Sequence, residues 1–386
     1  MTPTPIRKSV LINLFFFLTG LVTITTITFA QAGSTIGSLK LIGSYQIPYG
    51  LIYNNTTIGG LSGIDYDAAH KRYFFISDDR SAVNPARFYT AAISLSAKGI
   101  DSIHFTGVNS LLQPSGSVYP NNKQDPYHTP DPEAIRYNPL TSQLVWSSEG
   151  ERTVNKKDTI LENPMVAGIA LNGKFLNNYL LPENLYMQSF DKGPRQNGVL
   201  EGLTFADNYQ TLFVNVEEPL YEDGPRADII ENNALIRILQ FNVASRKNTR
   251  QFAYPLDPVA HAPFPAGGFK INGVPDILWL GENKLLVIER SFSTGRLACT
   301  IKLFIADLNG ATDIKSIASL RTNTPFSPVS KKLLLNMDNL GIYIDNIEGV
   351  TFGPNLPNGH KTLVFVSDNN FNPLEQTQLL LFEVIP

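Results

Sequence analysis

Short apolar runs separated by polar turns rich in glycine, asparagine and aspartate recur along almost the whole chain, and the apolar spacing of an amphipathic helix is missing. Residues 197–219, NGVLEGLTFADNYQTLFVNVEEP, show the unit. An apolar run opens with Glu201 and Gly202, turns at Asp207 and Asn208, and returns as a second run ending in Glu217 and Glu218. Related hairpins occupy residues 59–80, 131–151, 273–292 and 346–371, spaced about 70 residues apart, a steady period that marks a repeat architecture.

Each repeat supplies four strand-like runs. They are 63–66, 73–77, 88–95 and 103–108 in the first repeat, then 134–137, 144–147, 166–171 and 175–181. The third has 202–205, 212–216, 234–241 and 251–255; the fourth has 277–280, 285–288, 300–308 and 314–320. The last repeat has three, 349–352, 363–366 and 378–385, and a spare strand at 38–48 can fill the vacant place. The pattern predicts an all-β fold: a β-propeller of five four-stranded blades, closed by the amino-terminal strand pairing with the carboxy-terminal blade. A sixth blade inside 321–345 is the rival reading, although KKLLLNMDNL in that segment reads as a short helix. In such a meander the short turns (138–143, 206–211, 281–284, 97–101, 244–249, 309–313) share one face. The long connections (113–130, 151–164, 182–199, 219–233, 257–272, 321–346) share the other, where binding is expected.

Acids mark the long-loop face. Strand starts carry Glu133, Glu201, Asp276 and Glu348, and strand ends carry Asp78, Glu149, Glu217, Glu289 and Asp368. First strands line a propeller's channel, so these carboxylates are expected to converge, and like charges at close range need a cationic partner. Arg80, Arg152 and Arg290 follow strand-end acids and can neutralise them. Calcium is the other candidate, because it takes carboxylate oxygens together with loop carbonyls and side chains such as Asn369 and Asn370. The alternative is that the acids tie neighbouring blades through backbone amides, with no ligand. Zinc and copper are disfavoured, since His70, His104, His128, His261 and His360 show no ligand spacing. Asp65 and Asp67 read as turn residues, Trp146 and Trp279 as core, and Ser62 lacks the setting of a serine nucleophile.

Composition narrows the partners. A formal net charge of -3 gives no electrostatic case for nucleic acid. Arg7 and Lys8 precede an apolar stretch and the small residues Ala30-Gln31-Ala32, so residues 1–32 read as a signal peptide ahead of a domain over 33–386. The product would be secreted or periplasmic and off the membrane once cleaved; an uncleaved membrane anchor is the competing reading. The single Cys299 excludes an internal disulfide.

The EGLTF, DPEAIRY and NIEGVTF strand starts, the SSEGE, NVEEP and VSDNN strand ends and the closing LLLFEV resemble the phytase-like domain family, described as having esterase-like activity. The resemblance implies a secreted propeller in which carboxylate-held calcium fixes a phosphate ester for attack by a metal-bound water. It implies metal ligands among Asp78, Glu133, Glu149, Glu201, Glu217, Glu289, Glu348 and Asp368; on a hydrolase reading of this site Glu133, Glu201 and Glu348 are the catalytic positions and Arg80, Arg152 and Arg290 clamp the anion. Ser62 and Asp276 depart from the Glu of the other repeats. Two functions follow: a calcium-dependent phosphoric-ester hydrolase, or a non-catalytic propeller that binds a ligand or protein through its long loops.

Overall fold

The computed structural model describes residues 36–386 apart from 97 and 322, together with residues 1, 2 and 4. The signal-peptide reading and its cleavage boundary fall outside the described residues but for those three. Among the described residues no helix is long and apolar enough to cross a membrane, and the only helical segments are two 3-10 turns, Glu183–Leu185 and Met337–Leu340.

Five antiparallel sheets form the blades of a propeller. Blade 1 runs Leu61–Asp67, Arg72–Ser77, Arg87–Ser96 and Gly99–Ser110; blade 2 runs Pro132–Asn138, Gln143–Ser148, Met165–Ala170 and Phe175–Asn178. Blade 3 is Leu200–Ala206, Thr211–Val216, Leu235–Asn242 and Lys247–Pro255. Blade 4 is Ile277–Gly281, Lys284–Ser293, Thr300–Asp307 and Ser330–Asn336, and Lys270–Gly273 adds a strand beside the end of its second. Blade 5 is Asn346–Gly353, Thr362–Asp368 and Thr377–Ile385, and the amino-terminal strand Ser38–Ile47 pairs with the last of these from Ser38↔Ile385 to Ile47↔Thr377.

Blade 4 differs from the sequence expectation. Its outer strand is Ser330–Asn336, within the segment expected to be helical, and 314–320 is not a strand. Ile314 and Leu320 are buried because they pack with Ala253 in a small satellite core, which mimics strand patterning. The 308–329 connection therefore belongs with the short turns, and Leu308, Ala311 and Val329 pack into the cluster holding Phe213 and Trp279. The loop expected over 151–164 folds into a hairpin, Glu151–Val154 against Thr159–Glu162.

Large side chains between the blades form the core. Phe213 stacks on Trp279 across blades 3 and 4 with ring centroids 5.6 Å apart, and Phe74 meets Tyr137 across blades 1 and 2 at 5.3 Å. Along the channel the blades approach more closely than side chains allow. A Cβ on Gly202 would lie 2.4 Å from the Asp276 Cα, and one on Gly349 would lie 3.0 Å from the Ser62 carbonyl oxygen. The glycine of the recurring Glu-Gly pair is thus a packing requirement of the inner strands.

One arginine closes the channel. Arg136, on the inner strand of blade 2, places Nη2 2.9 and 2.7 Å from the Asp276 carboxylate oxygens of blade 4 and also donates to the Ile277 and Val350 carbonyls. Its Nη1 donates to the Ile64 carbonyl of blade 1 at 2.6 Å. Four blades meet on one buried guanidinium.

Candidate metal centre

Four inner strands carry an irregularity at the same place. Pairing shifts between Leu61 and Gly63, Pro132 and Ile135, Leu200 and Leu203, and Ile347 and Gly349. A bulge inserts a residue and re-aims its side chain; here that residue is Ser62, Glu133, Glu201 or Glu348. The pairs Leu61↔Ser77, Pro132↔Ser148, Leu200↔Val216 and Ile347↔Ser367 then set Asp78, Glu149, Glu217 and Asp368 beside the bulged residues. Glu-Gly at a strand start is therefore the local code for an acid turned toward the axis.

Blade 4 lacks the Glu-Gly pair and has no bulge at its start, which shifts both of its acids. Asp276 takes the glycine position and faces Arg136. In the second strand Ile277 pairs with Val287 as Leu203 pairs with Val214, so Arg290, not Glu289, stands at the acid position. Side chains alternate along a strand, so one residue decides the face. Glu289 points instead to the Tyr254 hydroxyl (2.8 Å), the Asp257 amide (3.0 Å), Asn272 Nδ2 (2.8 Å) and Lys331 Nζ (2.5 Å). It is a buried, satisfied structural acid. Arg152 also lies off the cluster: it donates to the Gln188 and Phe190 carbonyls and the Tyr221 hydroxyl.

The remaining acids do converge. Asp131, Glu133 and Glu149 each offer an oxygen within 4.8 Å of the others, and Glu149, Glu201 and Glu217 do the same, so Glu149 belongs to both groups. Glu149 Oε1 accepts the Gly198 and Val199 amides, each at 2.6 Å, which fixes this shared carboxylate. Asp131 opens the DPEAIRY motif and Arg136 is its sixth residue, yet neither stood among the expected site residues; an arginine in a buried inner strand was the available signal.

Cations are few beside these acids. Arg290 Nη2 is 2.5 Å from Glu217 and 3.8 Å from Glu348, and Arg80 bonds Glu151 and stands 3.7 Å from Asp131. Burial and crowding together raise the pKa of these acids. Burial, and then mutual repulsion, holds the Glu133, Glu201, Asp78 and Asp368 carboxyls well above the usual range. Glu348 is pushed up to about 8 by burial even though Arg290 opposes the shift. Glu149 rises by burial, held back partly by its hydrogen bond with Glu201.

The donor set is all oxygen. The histidines pair elsewhere, His70 with Asp67, His128 with Asp125 and His360 with Glu383. Oxygens confined within 4.8 Å span what one ion with contacts of roughly 2.3–2.6 Å needs, so the chemistry fits a hard divalent cation.

Residues 56–371 match the phytase-like family, described as "Esterase-like activity of phytase". The chain belongs to the phytase-like family. No curated protein matches the chain. Among solved structures, the phytase-like propeller is similar to a thermostable family-43 glycoside hydrolase (12% identity, 89% of this chain and 96% of that one, TM-score 0.44). It is also similar to a Xanthomonas campestris gluconolactonase (10%, 90% and 98%, 0.34) and the Dos1 propeller (11%, 90% and 96%, 0.31). These likenesses are too distant to bear on chemistry.

Proposed function

We propose that this phytase-like propeller is an exported, calcium-dependent hydrolase of phosphoric esters, with its reaction centre at the axial acids. The observation that carries the reading is the pair of carboxylate groups joined through Glu149. Calcium would be held there by Glu133, Glu149, Glu201 and Glu217 with Asp131, while Asp78, Glu348 and Asp368 extend the same acidic surface. When bound, it supplies the positive charge that binds phosphate oxygens and makes water more acidic. Glu348, which lies outside both carboxylate groups with Arg290 3.8 Å away, can accept a proton from attacking water. Arg290 keeps its proton under the influence of Glu217 and Glu348, and Arg80 stands on the opposite flank; both can orient an anion. The 1–32 leader is assigned to export.

The test is hydrolysis of a simple phosphate ester by the mature protein with calcium, with excess chelator, and in Glu149→Gln. The expected result is activity lost in both latter cases while the β-sheet circular dichroism stays unchanged. Activity that survives chelation would overturn the reading.

A further inference from the structure

Beside the axial acids, the hairpin of residues 151–162 holds an acid that the proposed reaction has not used. Glu151 and Glu162 stand directly opposite each other in its pairing, so their side chains leave the same face. Two acids so placed repel each other, and Arg80 of blade 1 bonds only Glu151. Glu162 Oε2 is buried without a hydrogen-bond partner among the described residues, and so are Arg80 Nε and Nη2. Arg80 and Glu162 are nevertheless near enough to feel each other's charge. Free donors and a free acceptor therefore lie side by side and leave each other unsatisfied, which calls for a third group between them.

The place adjoins the cation site. Arg80 Nε is 3.7 Å from Asp131, which offers an oxygen within 4.8 Å of those of Glu133 and Glu149. The end of the hairpin also presses on the residue after Glu149: a Cβ on Gly150 would lie 2.3 Å from the Glu162 carbonyl oxygen. The charged and titratable groups around Glu162 are Glu151 on its own hairpin, Arg80 from blade 1, Tyr119, Asp125 and His128 from the 113–130 loop, and Asp131. Burial pushes the Glu162 carboxyl up to about 7 against the pull of Arg80 and His128, so its proton is held and released near neutral pH.

Resting on the hydrolase reading, we propose that Glu162 is the general acid of the reaction: its Oε2–H donates to the ester oxygen while Arg80 Nε and Nη2 hold phosphate oxygens of the same ester. One bound ester then fills all three unpartnered atoms. The oxygen of water bonds to phosphorus as a proton of that water passes to Glu348 on the Arg290 flank. The phosphorus to ester-oxygen bond breaks, its electron pair goes to the departing oxygen, and that oxygen takes the Glu162 proton. The products are an alcohol and inorganic phosphate, and Glu348 and Glu162 regain their starting states by proton exchange with solvent.

The experiment measures kcat/KM with calcium for two esters of similar shape. Phenyl phosphate has a basic leaving oxygen that needs the proton; 4-nitrophenyl phosphate has one that departs without it. In Glu162→Gln phenyl phosphate should lose about a hundredfold or more, and 4-nitrophenyl phosphate less than about fivefold. The contrast is also read without a substitution: in the unaltered protein the ratio of the phenyl to the 4-nitrophenyl value should fall as pH rises through about 7, and this fall should be absent from Glu162→Gln. Equal losses for the two esters, or a ratio that does not change with pH, overturn the assignment and leave the hydrolase reading standing, because a merely structural acid would affect both esters alike. Absence of hydrolysis of both esters by the unaltered protein overturns both.

Discussion

The acids at the axis are held in a state that neither water nor an ordinary ion pair would give them. Burial pushes the Glu348 carboxyl up to about 8 from an ordinary 4.5, and Glu201 is displaced in the same direction by burial and by Glu149. A folded carboxyl that keeps its proton to higher pH binds more protons than the unfolded chain throughout that interval. Its contribution is fully present below about pH 4.5 and is lost as pH rises toward 8. In metal-free protein the midpoint of thermal unfolding should therefore fall by several degrees between about pH 5 and pH 8. Saturating calcium should remove that fall, because the cation replaces the protons and binds the deprotonated acids. Scanning calorimetry with chelator and with calcium measures both; a metal-free midpoint that rises over this interval contradicts the assignment. The acids were legible one by one in the sequence because each sits at a recurring strand boundary. Glu289 was misplaced for the same reason: it follows an apolar run as the others do, and only pairing at Ile277↔Val287 reveals that Arg290 holds the acid position.

At the level of the hairpin, the Glu-Gly pair does two things together: the bulge turns the glutamate inward, and the glycine lets the adjacent blade approach. Gly202→Ala should test the second role. The added carbon meets the Asp276 backbone at 2.4 Å and cannot be relieved by rotating a side chain, so destabilisation of roughly 1–3 kcal/mol is expected in urea unfolding. An unchanged midpoint would show that the channel is looser than described. The hairpins themselves were readable from apolar runs and turn residues. The outer strand of blade 4 was not, because Ser330–Asn336 is an edge strand with no fully buried position, and Lys331 in it turns inward to pair with Asp257 and Glu289. Without burial there is no two-residue alternation to read. The 3-10 turn at Met337–Leu340 directly after it reinforced a helical reading of the whole segment.

On the scale of the whole propeller, five blades create something none has alone. Glu149 and Glu201 come from different blades, and so do Arg290 and Glu348; the centre exists only where the blades meet. The floor beneath it is equally collective, with Arg136 bound to groups from three other blades. The period of about 70 residues made the ring foreseeable. The plug did not show, since its partner Asp276 is far off in sequence and was aligned with the acids of the rim. Whether those converging acids hold calcium decides the proposed function. The most direct measurement is anomalous diffraction from crystals grown with calcium. Calcium is expected among Glu133, Glu149, Glu201 and Glu217, with oxygen contacts of roughly 2.3–2.6 Å and Glu149 reaching it. Calcium bound only on the outer loops, with the axial acids carrying none at saturating concentration, would contradict it.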